Sequence, residues 1–254
     1  MTAIRPAERI LLELGIQSPQ HIDLEAIAWT LGAAVKYRPL EKCEATIVGS
    51  NRRAIITVNS NAIPKRRRFS TAHEIGHWRL HRGRLLFCGE TDIGNPSHDA
   101  LNPENQADQF ASDLILPPFM FRPRIAKMKR PTLAAIRDIA DEFQVSDTAT
   151  LLKLVDSDQF PVLAVCHNKE GRRWFRRAPM IPGWWFPREE IYHESFAFEM
   201  LFGGASESSY PRKVGADAWF DFRGIDRFEV QEQSFLLPNE EVLTLLILPE
   251  EALG

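Results

Sequence analysis

His73, Glu74 and His77 stand at positions i, i+1 and i+4 of Ser70 to Leu80, a segment whose pattern predicts a helix. In a helix, residues four apart lie on one face, so both imidazoles can reach one metal ion while Glu74 projects beside them. Zn2+ suits such a pair. It takes neutral imidazole nitrogen, and a catalytic site keeps three protein ligands and one open position. A carboxylate that does not bind the metal is then available as general base for an attacking water. The bland alternative is a solvated helix face that happens to carry two histidines and a glutamate. Phe69, Ala72, Ile75 and Leu80 speak against it, because they make the segment largely apolar around the motif. Gly76 costs a helix interior about 1 kcal/mol relative to Ala; a close backbone or metal-side neighbour would explain it.

A third ligand is needed, and residues 103–116 offer one. Ala107, Phe110, Ala111, Leu114 and Ile115 recur at helical spacing, Asn102 or Pro103 opens the helix and Pro117-Pro118 closes it. Glu104 lies in the first turn, with Asp108 one turn further along the same face. Packed beside the first helix, this one would present Glu104 to the metal and Asp108 to a histidine N–H. From spacing alone, Glu104 serves equally well as a complement to the helix dipole.

The run Arg-Phe-Ser-Thr-Ala-His-Glu-Ile-Gly-His-Trp-Arg-Leu-His (68–81), followed by Glu-Asn-Gln-Ala-Asp-Gln-Phe-Ala-Ser-Asp-Leu-Ile-Leu-Pro (104–117), resembles the ImmA/IrrE family of bacterial zinc metallopeptidases over roughly residues 20–155. The resemblance implies zinc on His73, His77 and Glu104, with Glu74 as catalytic base. It also implies a substrate class: helix-turn-helix transcriptional repressors, whose cleavage switches on mobile-element, DNA-damage or antiphage genes. No oxyanion donor is assigned; Tyr37 and Arg68 are candidates by proximity in sequence alone.

The elements around these helices predict an α+β zincin-like peptidase domain over residues 1–157. Helices are expected at 5–15 and 23–32, and short strands at 35–40, 45–49 and 54–59. Residues 82–103 read as a long connecting loop that carries Cys88, eleven residues past His77. A thiolate is a strong zinc ligand, so Cys88 is a candidate inhibitory fourth ligand, a cysteine switch; the alternative is a cysteine buried under Phe87. Residues 132–155 read as a helix-turn-helix-like segment. Its second helix carries Lys153 against acidic ends at Asp147 and Asp156, a poor charge pattern for groove reading, so packing on the peptidase core is expected.

From residue 158 to 254 aromatics become dense and helical periodicity fades. Strands are expected at 161–166, 172–177, 213–222, 227–233 and 242–248, with a helix over 189–202. A small α+β sensor domain fits, GAF-like by analogy with longer family members. Within it, Arg172, Arg173, Trp174, Arg176 and Arg177 combine arginine with an aromatic, as single-stranded nucleic-acid binders do. Simple pleating puts Arg172, Trp174 and Arg176 on one face. A solvated hairpin with paired arginines is the alternative. Some family members that control antiphage operons are stimulated by single-stranded DNA, which makes such DNA a candidate activator here. The basic run Lys65–Arg68 would extend that surface or merely begin a helix.

Composition narrows the classes. A hydrophobic content of 44% supplies a core, and a net charge of −3 gives no overall attraction to nucleic acid or membrane. No apolar run is long enough to span a bilayer, and the first residues lack the apolar core of a signal peptide, so a cytoplasmic location without membrane partners is expected. Three cysteines without regular spacing argue against a disulfide framework. The rival from another class is a non-proteolytic regulator that binds DNA or a partner and holds zinc in a closed structural site. Glu74 weighs against it, since a structural site has no use for a base.

Overall fold

The computed structural model describes residues 4–50, 52–82 and 102–253. The chain divides into two compact units, Met1–Pro123 with Ala140–Ser146, and Arg124–Ile139 with Asp147–Gly254. The architecture is mixed α+β.

The first unit opens with α1 (Pro6–Glu13) and α2 (Leu24–Thr30). Asp23 caps α2 by accepting from the amides of Glu25 and Ala26. A three-stranded sheet follows: β1 (Ala33–Arg38), β2 (Ala45–Gly49) and β3 (Ala54–Asn59) in the order β1-β3-β2. β3 runs parallel to β1 and antiparallel to β2. Ala54, Ile56 and Val58 alternate inward along β3, the period of a sheet with one covered face.

Helix α3 (Pro64–Leu80) starts earlier than the apolar pattern suggests, because Pro64 occupies its first turn. The basic run therefore begins a helix. Cations are disfavoured at a helix N-terminus, and acids offset them: Lys65 pairs with Asp141 at 2.7 Å and Arg66 with Glu44 at 3.8 Å. Every residue from Ser70 to Trp78 is buried. Trp78 Nε1 donates to the Leu31 carbonyl (2.8 Å), fixing α3 against the end of α2. Helix α4 (Pro103–Ile115) is capped by Asn102, whose side chain accepts from the Glu104 amide. Gly76 accounts for the closeness of α3 and α4. A Cβ there would lie 3.2 Å from Ala107 Cα, its carbonyl oxygen and Phe110 Cδ1, a tight contact with a backbone neighbour that the glycine relieves. Helix α5 is Pro118–Ile125.

Helices α6 (Leu133–Phe143) and α7 (Asp147–Asp156) are joined through Gln144, at φ 56°. Contrary to the expectation that it lies on the peptidase core, α7 packs against β4 (Val162–Asn168) and β5 (Gly171–Arg177) of the second unit. That unit also holds α8 (Phe196–Phe202), β6 (Arg212–Gly215), β7 (Glu229–Leu237) and β8 (Glu241–Ile247), in an antiparallel sheet of order β5-β4-β8-β7-β6.

Two elements here are shorter than their patterns. The helix expected over 189–202 starts only at Phe196, because Ser195 accepts from the Phe198 amide and acts as its N-cap. The strand expected to run on to Phe222 stops at Gly215. Trp219 is drawn inward by a hydrogen bond to the buried Glu232 carboxylate at 2.9 Å. Cys166 lies fully buried in β4, and its thiol is pushed up to about 12 by burial and by nearby Glu241.

Candidate metal centre

Helix α3 delivers His73, Glu74 and His77 into the interior of the first unit, with exposures of 0%, 0% and 2%. The solvated-face alternative is thereby excluded, since buried polar groups need partners. His73 Nε2 and His77 Nε2 lie 2.9 Å apart, and Glu104 Oε2 from α4 lies 3.2 and 3.3 Å from them. Four-coordinate zinc with bonds near 2.0–2.1 Å sets its ligands about 3.3 Å apart, so the three atoms already stand close to the edges of such a tetrahedron. Among the described residues, His73, His77 and Glu104 are the group of side chains able to hold a metal ion.

Glu74 supplies the second test of fit. Its carboxylate is fully buried, and neither oxygen has a hydrogen-bond partner among the described residues. An orphaned buried carboxylate is costly, and a catalytic role with a partner that comes and goes explains why the cost is tolerated. Burial raises its pKa to about 7; the neighbouring His73 opposes the rise and Glu104 adds to it. A base poised near neutrality is suited to taking a proton from water and returning it.

The two histidines are supported differently. His73 Nδ1 meets Asp108 Oδ1 at 2.8 Å, the role expected for Asp108. His77 Nδ1 instead meets Nδ1 of His81 at 3.2 Å, and His81 Nε2 meets Gln106 Oε1 at 3.0 Å. The sequence reading gives no role to His81 or Gln106. The signal for His81 is its spacing, four residues past His77, which repeats the interval between His73 and His77.

Burial pulls the His73 pKa down, but the carboxylates of Asp108 and Glu104 more than offset it and hold it up at about 9. Burial likewise works against the Glu104 carboxylate, and hydrogen bonds from His73 and His77 win, leaving it well below the usual range. His77 is lowered by burial, with the like charges of His73 and His81 adding to the fall against Glu104. In metal-free protein at neutral pH, His73 therefore carries a proton that an arriving metal must displace, because the ligand is neutral imidazole. Zinc affinity is expected to rise with pH toward about 9, by about tenfold per unit for one released proton. Competition against a chelator across that range checks it; an affinity independent of pH would contradict it.

The remaining candidate residues are placed as follows. Tyr37 donates to Glu25 at 3.0 Å and Arg68 to the Ile22 carbonyl at 3.1 Å, so both have partners outside the His73–His77–Glu104 group. Cys88 lies outside the described residues. On β5, the pleating expectation is overturned by a bulge: the register shifts between Cys166 and His167, opposite Arg172 and Trp174, which leaves Arg173 as the extra residue. Arg172 consequently shares the side of Phe175, lying over its ring at 5.2 Å and over that of Phe186 at 4.6 Å. The arginines have internal partners. Arg172 pairs with Glu189 at 2.7 Å, Arg173 with Glu241 at 3.7 Å and Arg176 with Asp156 at 3.4 Å, while Arg177 donates to the Gly183 carbonyl.

Comparison with known proteins gives a family match over part of the chain and a likeness of fold over nearly all of it. The model of a peptidase family, described as the IrrE N-terminal-like domain, matches residues 29–155. The radiation response metalloprotease IrrE of Deinococcus radiodurans is 34% identical over 122 residues, covering 44% of this chain and 34% of that protein. Its counterpart from Deinococcus deserti is 29% identical over 120 residues, covering 44% and 40%. The matched segment thus spans well under half the length of either relative. A solved structure of a Mycobacterium tuberculosis transcriptional regulator superposes with a TM-score of 0.60 over 97% of this chain and 87% of its own, at 16% identity, a likeness of fold alone.

Proposed function

The chain belongs to the peptidase family of the IrrE N-terminal-like domain, and from that premise we propose that it is a zinc-dependent endopeptidase whose substrate is a helix-turn-helix transcriptional repressor. Cleavage would release stress, mobile-element or antiphage genes from repression. The observation that carries the chemistry is the buried carboxylate of Glu74, unpartnered among the described residues, beside three converging ligand atoms.

In this reading His73, His77 and Glu104 hold the zinc, and Asp108 fixes the ring of His73. When bound, zinc polarises the scissile carbonyl and a water molecule. Glu74 accepts a proton from that water as its oxygen bonds to the carbonyl carbon. The same carboxyl then gives the proton to the departing nitrogen as the C–N bond breaks. Burial keeps the proton on Glu74 between the two transfers.

The test is to incubate zinc-loaded protein with candidate helix-turn-helix repressors, starting from any encoded beside it, and to follow intact masses. Two fragments whose masses sum to that of the repressor plus one water are expected. An intact repressor sinks the substrate assignment.

Regulation is proposed at two places. Cys88 would occupy the fourth position on zinc and hold the enzyme latent. The Arg-aromatic surface of residues 172–177 would take single-stranded DNA, with the C-terminal unit acting as sensor. Trp184 stands 60% exposed near this segment in sequence, available for base stacking. The exposed ion pairs of Arg173 and Arg176 are worth about 1 kcal/mol or less each, too little to keep phosphates away. One assay addresses both ideas: basal cleavage should rise in Cys88→Ser at matched zinc content, and wild type should be stimulated by single-stranded DNA. Equal basal rates remove the switch, and absence of DNA binding at low salt removes the sensor.

A further inference from the structure

The imidazole of His77 has two nitrogens, and only one can face a metal. Its Nε2 points at His73 and Glu104, so when that nitrogen binds a metal the ring's proton must sit on Nδ1. Nδ1 of His81 stands 3.2 Å from that nitrogen, within hydrogen-bond reach. To accept the proton, His81 must present a lone pair at Nδ1 and carry its own proton on Nε2. Gln106 Oε1 stands 3.0 Å from that Nε2 and is an acceptor. Each group in this sequence can donate in only one direction if His77 is to be a ligand.

The fold holds the relay in place. His81 is the C-cap of α3, with φ −124° and ψ 26°, and its amide still bonds to the His77 carbonyl at 2.9 Å. Its ring is 5.3 Å from that of His77, and the residue is 7% exposed. Gln106 comes from α4, between Glu104 and Asp108 in sequence. A single helix thus reaches both histidines, directly through Asp108 and indirectly through Gln106. The difference in charge has a consequence. Glu74, Glu104 and Asp108 already crowd the centre with carboxylates, and an imidazole–amide pair orients the second ligand without adding a fourth.

We propose that His81 and Gln106 are positioning residues that lock His77 in the tautomer and orientation required for metal binding. The proposal rests on the reading of His73, His77 and Glu104 as ligands, and extends it to two residues that touch no metal.

The test is the zinc dissociation constant, measured by competition with a chromophoric chelator. His81→Leu keeps much of the bulk and removes the acceptor; zinc binding should weaken about 10–100-fold, the usual effect of losing such a partner. His81→Asn places a carbonyl where Nδ1 stood and should restore most of the affinity. Gln106→Leu should weaken binding in the same direction. Thermal midpoints of the metal-free variants should match wild type, separating orientation from folding. Wild-type affinity in His81→Leu overturns the relay, and so does His81→Asn failing as badly as His81→Leu. His77→Ala is the control: if it binds zinc as tightly as wild type, the ligand reading itself falls, and the relay with it.

Discussion

Glu74→Gln is expected to retain a full equivalent of zinc and to lose cleavage by about 10²–10⁴-fold, the contribution of a positioned general base. Glu74 is not among the three converging ligand atoms, and glutamine keeps its shape in a fully buried site. What it removes is the proton acceptor. A second effect accompanies it in chelated protein. Burial raises the Glu74 pKa to about 7, so the folded state holds this proton more tightly than the unfolded state does. Wild type is therefore penalised progressively as pH rises from the ordinary carboxylate range through about 7. Glutamine escapes the penalty, and the stability advantage of the variant should grow over that window and level off above it. Zinc content, cleavage rate and thermal melts on one preparation read all three effects. Wild-type cleavage by the variant would remove Glu74 from the mechanism.

Glu104→Ala should have the largest effect on metal binding. The carboxylate lies 3.2 and 3.3 Å from the two imidazole nitrogens and supplies the third donor atom. Without it two neutral nitrogens remain, and the bond energy of an anionic ligand is lost. Affinity should fall by more than the roughly 10–100-fold expected for Asp108→Asn, which removes only the charge that orients His73. The order of the two variants is the informative result. If Asp108→Asn binds zinc more weakly than Glu104→Ala, the ligand and supporting roles have been exchanged. If Glu104→Ala binds as wild type, Glu104 is the dipole complement that its first-turn position also suits.

Much of this centre is legible in the sequence because helical periodicity is a strong geometric constraint. An interval of four residues puts His73 and His77 together whatever surrounds them, and the same interval puts Asp108 over Glu104. Asn102 and Pro103 mark the start of α4 by local chemistry alone. The second unit is less legible for equally physical reasons. One extra residue at Arg173 reverses the side to which Arg172 points, and no local pattern announces a bulge. The end of β6 depends on Glu232, a distant residue that captures Trp219. Ser195 looks like part of a helical stripe until its side chain is seen to cap α8. The burial of Glu74 is also tertiary. No local pattern around Glu74 announces it, although Gly76 on the same helix does mark where α4 comes close.

The central claim is that His73, His77 and Glu104 together hold one zinc ion with Glu74 beside it and unbound. Anomalous diffraction at the zinc edge, from crystals grown with zinc, locates the ion directly. The account predicts a single strong peak about 2.0–2.2 Å from His73 Nε2, His77 Nε2 and a Glu104 carboxylate oxygen, with Glu74 outside bonding distance. A peak elsewhere in the chain, or one bonded to Glu74 in place of Glu104, would contradict it.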